Sequence, residues 1–216
     1  MQSYPPLLVR VRTPRLELRG ASDDLLDRLA PLVFAGKAAA DPPPYDDPIS
    51  LYEPNPQTRV LSWLQGVWRA RGLAGKDLWR LSFAVTVDEE PVGMQDVVGQ
   101  RVADRWHTET FSWLSRDLRG TGLGKEMRQA VLHLVFDGLG AEEATSSAFV
   151  DNTGSNGVSA ALGYQRNGTD WATRQGDPGQ LQRWRLTRQA WIPTRRPDIH
   201  LEGTGPCRTA LGLPSH

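Results

Sequence analysis

Three glycines at alternate positions in Arg119-Gly120-Thr121-Gly122-Leu123-Gly124-Lys125 form the stretch of this chain whose spacing most directly implies chemistry. Glycine allows the backbone to turn sharply and bring its N–H groups close to a ligand. The helical run Glu126–Phe136 that follows would add the positive end of its dipole. Such a cradle suits an anion, and a diphosphate above all. A P-loop needs Gly-Lys followed by Ser or Thr to hold magnesium, and here Lys125 is followed by Glu126, so a nucleotide triphosphatase is disfavoured. A dinucleotide fingerprint needs Gly-x-Gly-x-x-Gly early in a βαβ unit, with an acidic residue closing the next strand. This chain has Gly-x-Gly-x-Gly deep in the sequence. Asp151, in Val150-Asp151-Asn152, keeps the dinucleotide reading as the weaker alternative.

The elements around the cradle follow from periodicity and punctuation. Leu7–Arg19 alternates as an edge strand or hairpin broken at Pro14. Leu25, Leu29 and Leu32-Val33 have helical spacing behind Ser22, a good N-cap, with Asp23-Asp24 in the first turn. Ala40–Pro56 is crowded with prolines and aspartates and reads as a loop, and Gln57–Arg71 returns to helix. Trp79–Asp88 and Pro91–Gln100 read as a β-hairpin turning at Glu89-Glu90, followed by a strand over Thr108–Leu114. After the cradle, Glu126–Gly138 carries one apolar helical face and stops at Gly140. A strand over Ala144–Val150, a helix over Thr153–Leu162, and strands over Tyr164–Asn167 and Leu181–Leu186 around a polar loop complete the pattern. This predicts one mixed α/β domain over residues 1–190, with residues 191–216 as a proline- and glycine-rich extension.

Two further segments give the cradle a context. Arg119-x-x-Gly122-x-Gly124, after a strand ending Ser112-Trp113-Leu114, resembles the acyl-CoA-binding motif of the GNAT superfamily of N-acetyltransferases. Asn152-x-x-Ser155-x-x-Val158-Ser159-x-x-Leu162-Gly163-Tyr164 is similar to the second signature of that family, and Thr13-Pro14-Arg15-Leu16-x-Leu18-Arg19 resembles the opening strand of its Rim-like branch. That branch includes ribosomal-protein N-terminal acetyltransferases. Gly122–Arg128 and Phe149–Asn152 are similar to actinobacterial members, among them a mycobacterial succinyltransferase.

The resemblance implies a GNAT fold: an α/β (α+β) domain with a central mixed, largely antiparallel sheet, splayed at the acyl-CoA site and flanked by helices. It also implies an acyl-CoA-dependent N-acyltransferase in which a primary amine attacks the thioester directly in a ternary complex. The donor would be acetyl-CoA or succinyl-CoA, and the acceptor a small molecule, a protein N-terminus or a lysine. Backbone N–H groups of Gly120, Thr121, Gly122, Leu123, Gly124 and Lys125 would hold the pyrophosphate, with Arg119 shaping the turn. Peptide groups of Trp113, Leu114 and Ser115 would bond pantetheine as an added strand. Asn152 would bond pantetheine too, and Ser155 would contact the cofactor or cap its helix. The resemblance makes Glu109 the base, acting through water; His107, two residues away on the same strand face and without a family counterpart, is the reserve. Ser159 occupies the position where much of the superfamily has a tyrosine as general acid, so it is the candidate donor to the departing thiolate. That departure from pattern supports the alternative of a catalytically silent acyl-CoA-binding module. The loop Asp41–Pro56, with Tyr45, Asp46 and Asp47, is the candidate for acceptor recognition, and most of the eight tryptophans are expected in the core.

Composition bounds the remaining classes. With 25 basic and 25 acidic residues, no charge excess points to nucleic acid or an anionic membrane. No apolar run spans a bilayer, and Met1-Gln2-Ser3-Tyr4 lacks the regions of a signal peptide, so a cytoplasmic location is expected. A single cysteine, Cys207, and four scattered histidines make no metal-ligand set, and Cys207 reads as a spare thiol. A homodimer is the assembly common in the Rim-like branch.

Overall fold

The computed structural model describes residues 3–46, 50–75, 77–102 and 105–214. Two strands, β1 (Arg10–Arg12) and β2 (Glu17–Gly20), precede helices α1 (Asp23–Phe34) and α2 (Pro56–Arg71). Each helix begins where a side chain satisfies an orphan backbone donor. Ser22 Oγ accepts from Leu25 N–H at 3.4 Å, and Asn55 Oδ1 accepts from Thr58 N–H at 2.9 Å. The second helix takes in Pro56 as its first residue, where a missing N–H costs nothing.

Strands β3 (Leu78–Val87), β4 (Glu90–Val102) and β5 (Arg105–Leu114) then form an antiparallel meander. Its first turn is Asp88-Glu89, both at positive φ (49° and 66°), as a two-residue hairpin turn of matching twist requires. Glu90 already pairs with Val87, one residue earlier than the sequence pattern suggests. The glycine cradle leads into α3 (Leu123–His133), which widens into a π-helical turn over Leu134–Gly138. Next come β6 (Glu143–Phe149), α4 (Thr153–Ala161), β7 (Gln165–Arg174), β8 (Asp177–Thr187), the short α5 (Arg188–Trp191), β9 (His200–Glu202) and α6 (Thr204–Ala210). The polar loop expected between the last two predicted strands is itself strand, turned at Gln175-Gly176. Nearly every residue of β7 is exposed, so it has no apolar alternation to read.

Among the described residues nine strands form one sheet in the order β7-β8-β6-β5-β4-β3-β2-β1-β9. Every neighbouring pair is antiparallel except β5 and β6. Helices cover both faces. The α3 side holds the larger core, including Val131, Leu134, Phe136, Trp184 and Leu186. The α1–α2 side holds a second core with Leu26, Leu29, Trp63, Met94 and Trp113. The segment after Trp191 folds into the same unit. Leu201 pairs with Val11, so β9 rather than the opening hairpin is the sheet edge, and Ile199, Cys207, Leu211 and Leu213 join the larger core. Cys207 is fully buried, and burial pushes its thiol up to about 12.

One seam is incomplete. Strands β5 and β6 pair only at His107↔Glu143, Thr108↔Ala144 and Glu109↔Thr145. Beyond that point β5 stays with β4 as far as Gly93↔Leu114, and β6 stays with β8 as far as Phe149↔Leu181. The two strands therefore part into a V whose apex is at Glu109 and Thr110.

Candidate active site in the split between two strands

The V opens into a cavity of about 560 Å³, walled by Thr110–Leu114 on one side and Ser146–Ala148 on the other. The starts of α3 and α4 border it, and the loop Ala40–Tyr45 covers it. Gly122 is the N-cap of α3 at φ 84°, with no side chain capping the helix. Lys125 N–H (3.1 Å) and Glu126 N–H (3.2 Å) both donate to Gly122 C=O, so it is the N–H groups ahead of Lys125 that open the helix without an intrahelical acceptor. Gly124 lies inside the helix with no positive φ, and a Cβ there would meet no protein atom within 4 Å. A helical glycine costs about 0.5–1 kcal/mol relative to alanine. Nothing in the chain itself requires it, and what its bare surface faces is the cavity.

The cradle is fastened from behind. Glu126, 5% exposed, accepts hydrogen bonds from Thr13 Oγ1 (2.6 Å), Arg15 N–H (3.0 Å) and Arg15 Nε (2.6 Å). Burial pushes its carboxyl up, but these bonds outweigh burial and hold it below the usual carboxylate range. The residue that breaks the P-loop pattern thus ties the Thr13-Pro14-Arg15 turn to the first turn of α3. Arg15 Nη1 also donates to the Thr121 carbonyl at 3.1 Å.

The candidate residues do not all reach the cavity. Gly120, Gly122, Gly124 and Lys125 line it, as do Arg119, Trp113, Leu114, Asn152 and Ser155. The guanidinium of Arg119 is spent within the chain: Nη2 donates to Ala38 C=O at 2.7 Å, latching the loop after α1 to the cradle. Thr121 faces away, with Oγ1 on the Leu118 carbonyl at 2.7 Å, and Leu123 is buried in the core. Asn152 caps α4, its Oδ1 accepting from Ser155 N–H at 3.1 Å.

The open edge of β5 is shifted by one residue from expectation. Ser115 N–H donates to Val92 C=O at 2.8 Å, and the Trp113 carbonyl abuts Gly93. Both therefore face β4. Peptide groups alternate between the two edges of a strand, so Ser112 and Leu114 face the cleft. Tyr45 Oη donates to Ser112 C=O at 3.1 Å, and Arg119 Nη2 approaches Leu114 C=O at 3.5 Å. Ser115 is a correction to the expected set.

Glu109 stands at the apex, next to the cavity wall. Burial raises its pKa; a bond donated by Ser147 Oγ at 3.4 Å lowers it, and the charge of Asp46 raises it further. His107 is drawn to Glu143 instead, at 3.7 Å. Ser159 is the second correction. It is 0% exposed, does not line the cavity, and its Oγ has no hydrogen-bond partner. Tyr45 is half-buried, lines the cavity and ties the loop to β5 through its bond to Ser112 C=O, and Asp47 lies outside the described residues. Asp151 is engaged by Arg174 in two bonds of 2.8 and 2.9 Å, so the carboxylate of the dinucleotide alternative is occupied. Arg128, 5% exposed on the inward face of α3, lines the cavity and was given no role by the sequence. Its signal was a charge four residues after Gly124, amid Met127, Ala130 and Val131.

A largely antiparallel sheet that splits beside a glycine-capped helix defines a class of acyl-transfer proteins. The model of the GNAT acetyltransferase domain matches residues 15–165, and the chain belongs to that family. Solved structures agree in fold. Mycobacterium smegmatis RimJ in complex with a CoA-disulfide is 18% identical with a TM-score of 0.70, over 96% of each chain. RimL, a ribosomal alpha-N-protein acetyltransferase in complex with coenzyme A, is 18% identical with a TM-score of 0.63, over 81% of this chain and 95% of its own. An acetyltransferase from Salmonella typhimurium that modifies the N-terminal serine of a 50S ribosomal subunit protein is 19% identical with a TM-score of 0.59, over 81% and 96%.

Proposed function

We propose that this protein is a cytoplasmic acyl-CoA-dependent N-acyltransferase that carries an acetyl or succinyl group to a primary amine in a ternary complex. The catalytic unit takes in the segment after Trp191. The observation that carries the reading is Gly124, a glycine with no intrachain purpose at the mouth of the β5–β6 split. The pyrophosphate would rest on the N–H groups at the start of α3, where the helix dipole favours it. Pantetheine would run down the cleft edge of β5 along Leu114 and Ser112, bringing the thioester to the level of Thr110 and Glu109.

Glu109 then takes one proton from the incoming ammonium through water. Its raised pKa makes it a better proton acceptor than an exposed carboxylate. The neutral amine attacks the thioester carbonyl, the C–N bond forms and the C–S bond breaks. The second amine proton ends on the CoA sulfur. Because Ser159 stays behind the cavity wall, that proton would travel through solvent, and catalysis would rest on positioning and the base. The same burial is the observation that favours a silent acyl-CoA-binding module.

Release of free CoA from acetyl-CoA and succinyl-CoA decides between them, measured with small amines, lysine peptides and peptides with free N-termini. RimL and the Salmonella protein put N-terminal peptides first in that panel. Turnover that collapses in Glu109→Gln and persists in Ser159→Ala supports the enzyme. CoA binding without turnover of any amine would establish the silent module.

A further inference from the structure

Among the described residues, Arg128 is a buried cation at the cavity with no carboxylate to balance its charge. Its side chain is 5% exposed, and neither Nε nor Nη1 has a hydrogen-bond partner. Among the described residues no carboxylate pairs with it, although Arg15, Arg174, Arg185 and Arg196, all more exposed, each have one. A buried cation without a counter-charge is costly, and proteins keep one where a ligand supplies the anion.

Its position says which anion. Arg128 lies four residues beyond Gly124, about 6 Å further along the helix axis than the turn that would hold the pyrophosphate. Its guanidinium sits over the ring of Tyr164, 5.9 Å from the centroid. Tyr164, fully buried, is flanked by both Arg128 and Thr110, and Thr110 is the first residue past the last β5–β6 pair. Arg128 is therefore at the apex of the V, away from its mouth. Along β5, Thr110 and Glu109 project to opposite faces of the sheet. The amine would approach from the Glu109 side and the tail of the acyl group would extend toward Arg128.

We propose that Arg128 is the specificity residue for a donor whose acyl group ends in a carboxylate, a dicarboxylic acyl-CoA such as a four-carbon succinyl thioester. This rests on the acyl-CoA reading above and narrows it. The test is titration of the full chain with CoA, succinyl-CoA and butyryl-CoA, the last having four carbons and no terminal charge. Wild type should bind succinyl-CoA at least tenfold more tightly than butyryl-CoA. Arg128→Met should erase that preference while changing the affinity for CoA less than threefold, and its ligand-free melting temperature should equal or exceed wild type, since removing an unpaired buried charge relieves the fold. Arg128→Lys, which keeps the charge, should retain part of the preference. Equal binding of the two thioesters by wild type overturns the proposal without any variant. So does a preference that survives in Arg128→Met, or a uniform loss of all three ligands, which would assign the guanidinium to the common CoA handle. Failure of wild type to bind CoA itself overturns the donor reading, and the proposal falls with it.

Discussion

Two arginines on helices of the larger core, both under 10% exposed, are treated in opposite ways. Arg208 on α6 donates to the carbonyls of Gly138 and Pro214, joining the end of the π-helical turn to the last described residue. Arg128 on α3 has two nitrogens, Nε and Nη1, without a hydrogen-bond partner. Around Arg208 the chain closes on itself: β9 seals the β1 edge, and His133 Nε2 accepts from Arg196 N–H at 3.1 Å. Around Arg128 the sheet is split, a helix start is uncapped by any side chain, and a glycine faces empty space. Polar groups at the closed end are answered by the fold, and those at the split are left for a ligand. The first set should therefore control stability and the second set activity.

The sharpest way to break that division is Glu109→Gln. It should lower kcat by about 10²–10⁴-fold with CoA affinity unchanged, and wild-type activity should rise with pH through the raised pKa of Glu109 while the variant shows no such limb. The sign for stability is opposite. A carboxyl whose pKa is raised by burial binds its proton more readily folded than unfolded, so its contribution falls as pH rises, and Glu109→Gln should melt no lower than wild type at neutral pH. At the closed end, Arg208→Ala should cost about 2–4 kcal/mol through two stranded carbonyls and a void, seen in denaturant melts, with activity per folded molecule preserved.

Gly124→Ala should separate the two properties within one residue. The folded state should gain about 0.5–1 kcal/mol, and the Kd for CoA should rise about tenfold as the methyl intrudes on the bound ligand. The smallest effect should come from His133, whose pKa burial lowers to about 4 from an ordinary 6.5. The unfolded chain takes up that proton first, so this contribution is complete above pH 6.5 and lost as pH falls toward 4. His133→Gln should flatten that part of the melting-temperature profile and leave the activity profile unchanged.

What the sequence alone determined was local. Helix starts at Ser22 and Asn152, the turn at Gly120–Gly124 and the meander before it depend on backbone chemistry within a few residues. Their types and order were legible, and with them the family. Pairing and docking were not. Side-chain alternation identifies the face of β5 on which a residue lies; only the partner strand determines which edge its peptide group meets, so of the expected Trp113, Leu114 and Ser115 only Leu114 turns its peptide to the cleft, with Ser112 beside it. The rotation of α4 buried Ser159, a property of packing against distant residues. The segment after Trp191 had no pattern of its own because its strand is three residues long and gains its bonds from β1. In the sequence Arg128 lies on the helix predicted after the cradle and Arg208 in the extension after Trp191, and nothing there sets their roles apart. Only the tertiary structure, by supplying acceptors to one and a cavity to the other, separated a brace from a binding group.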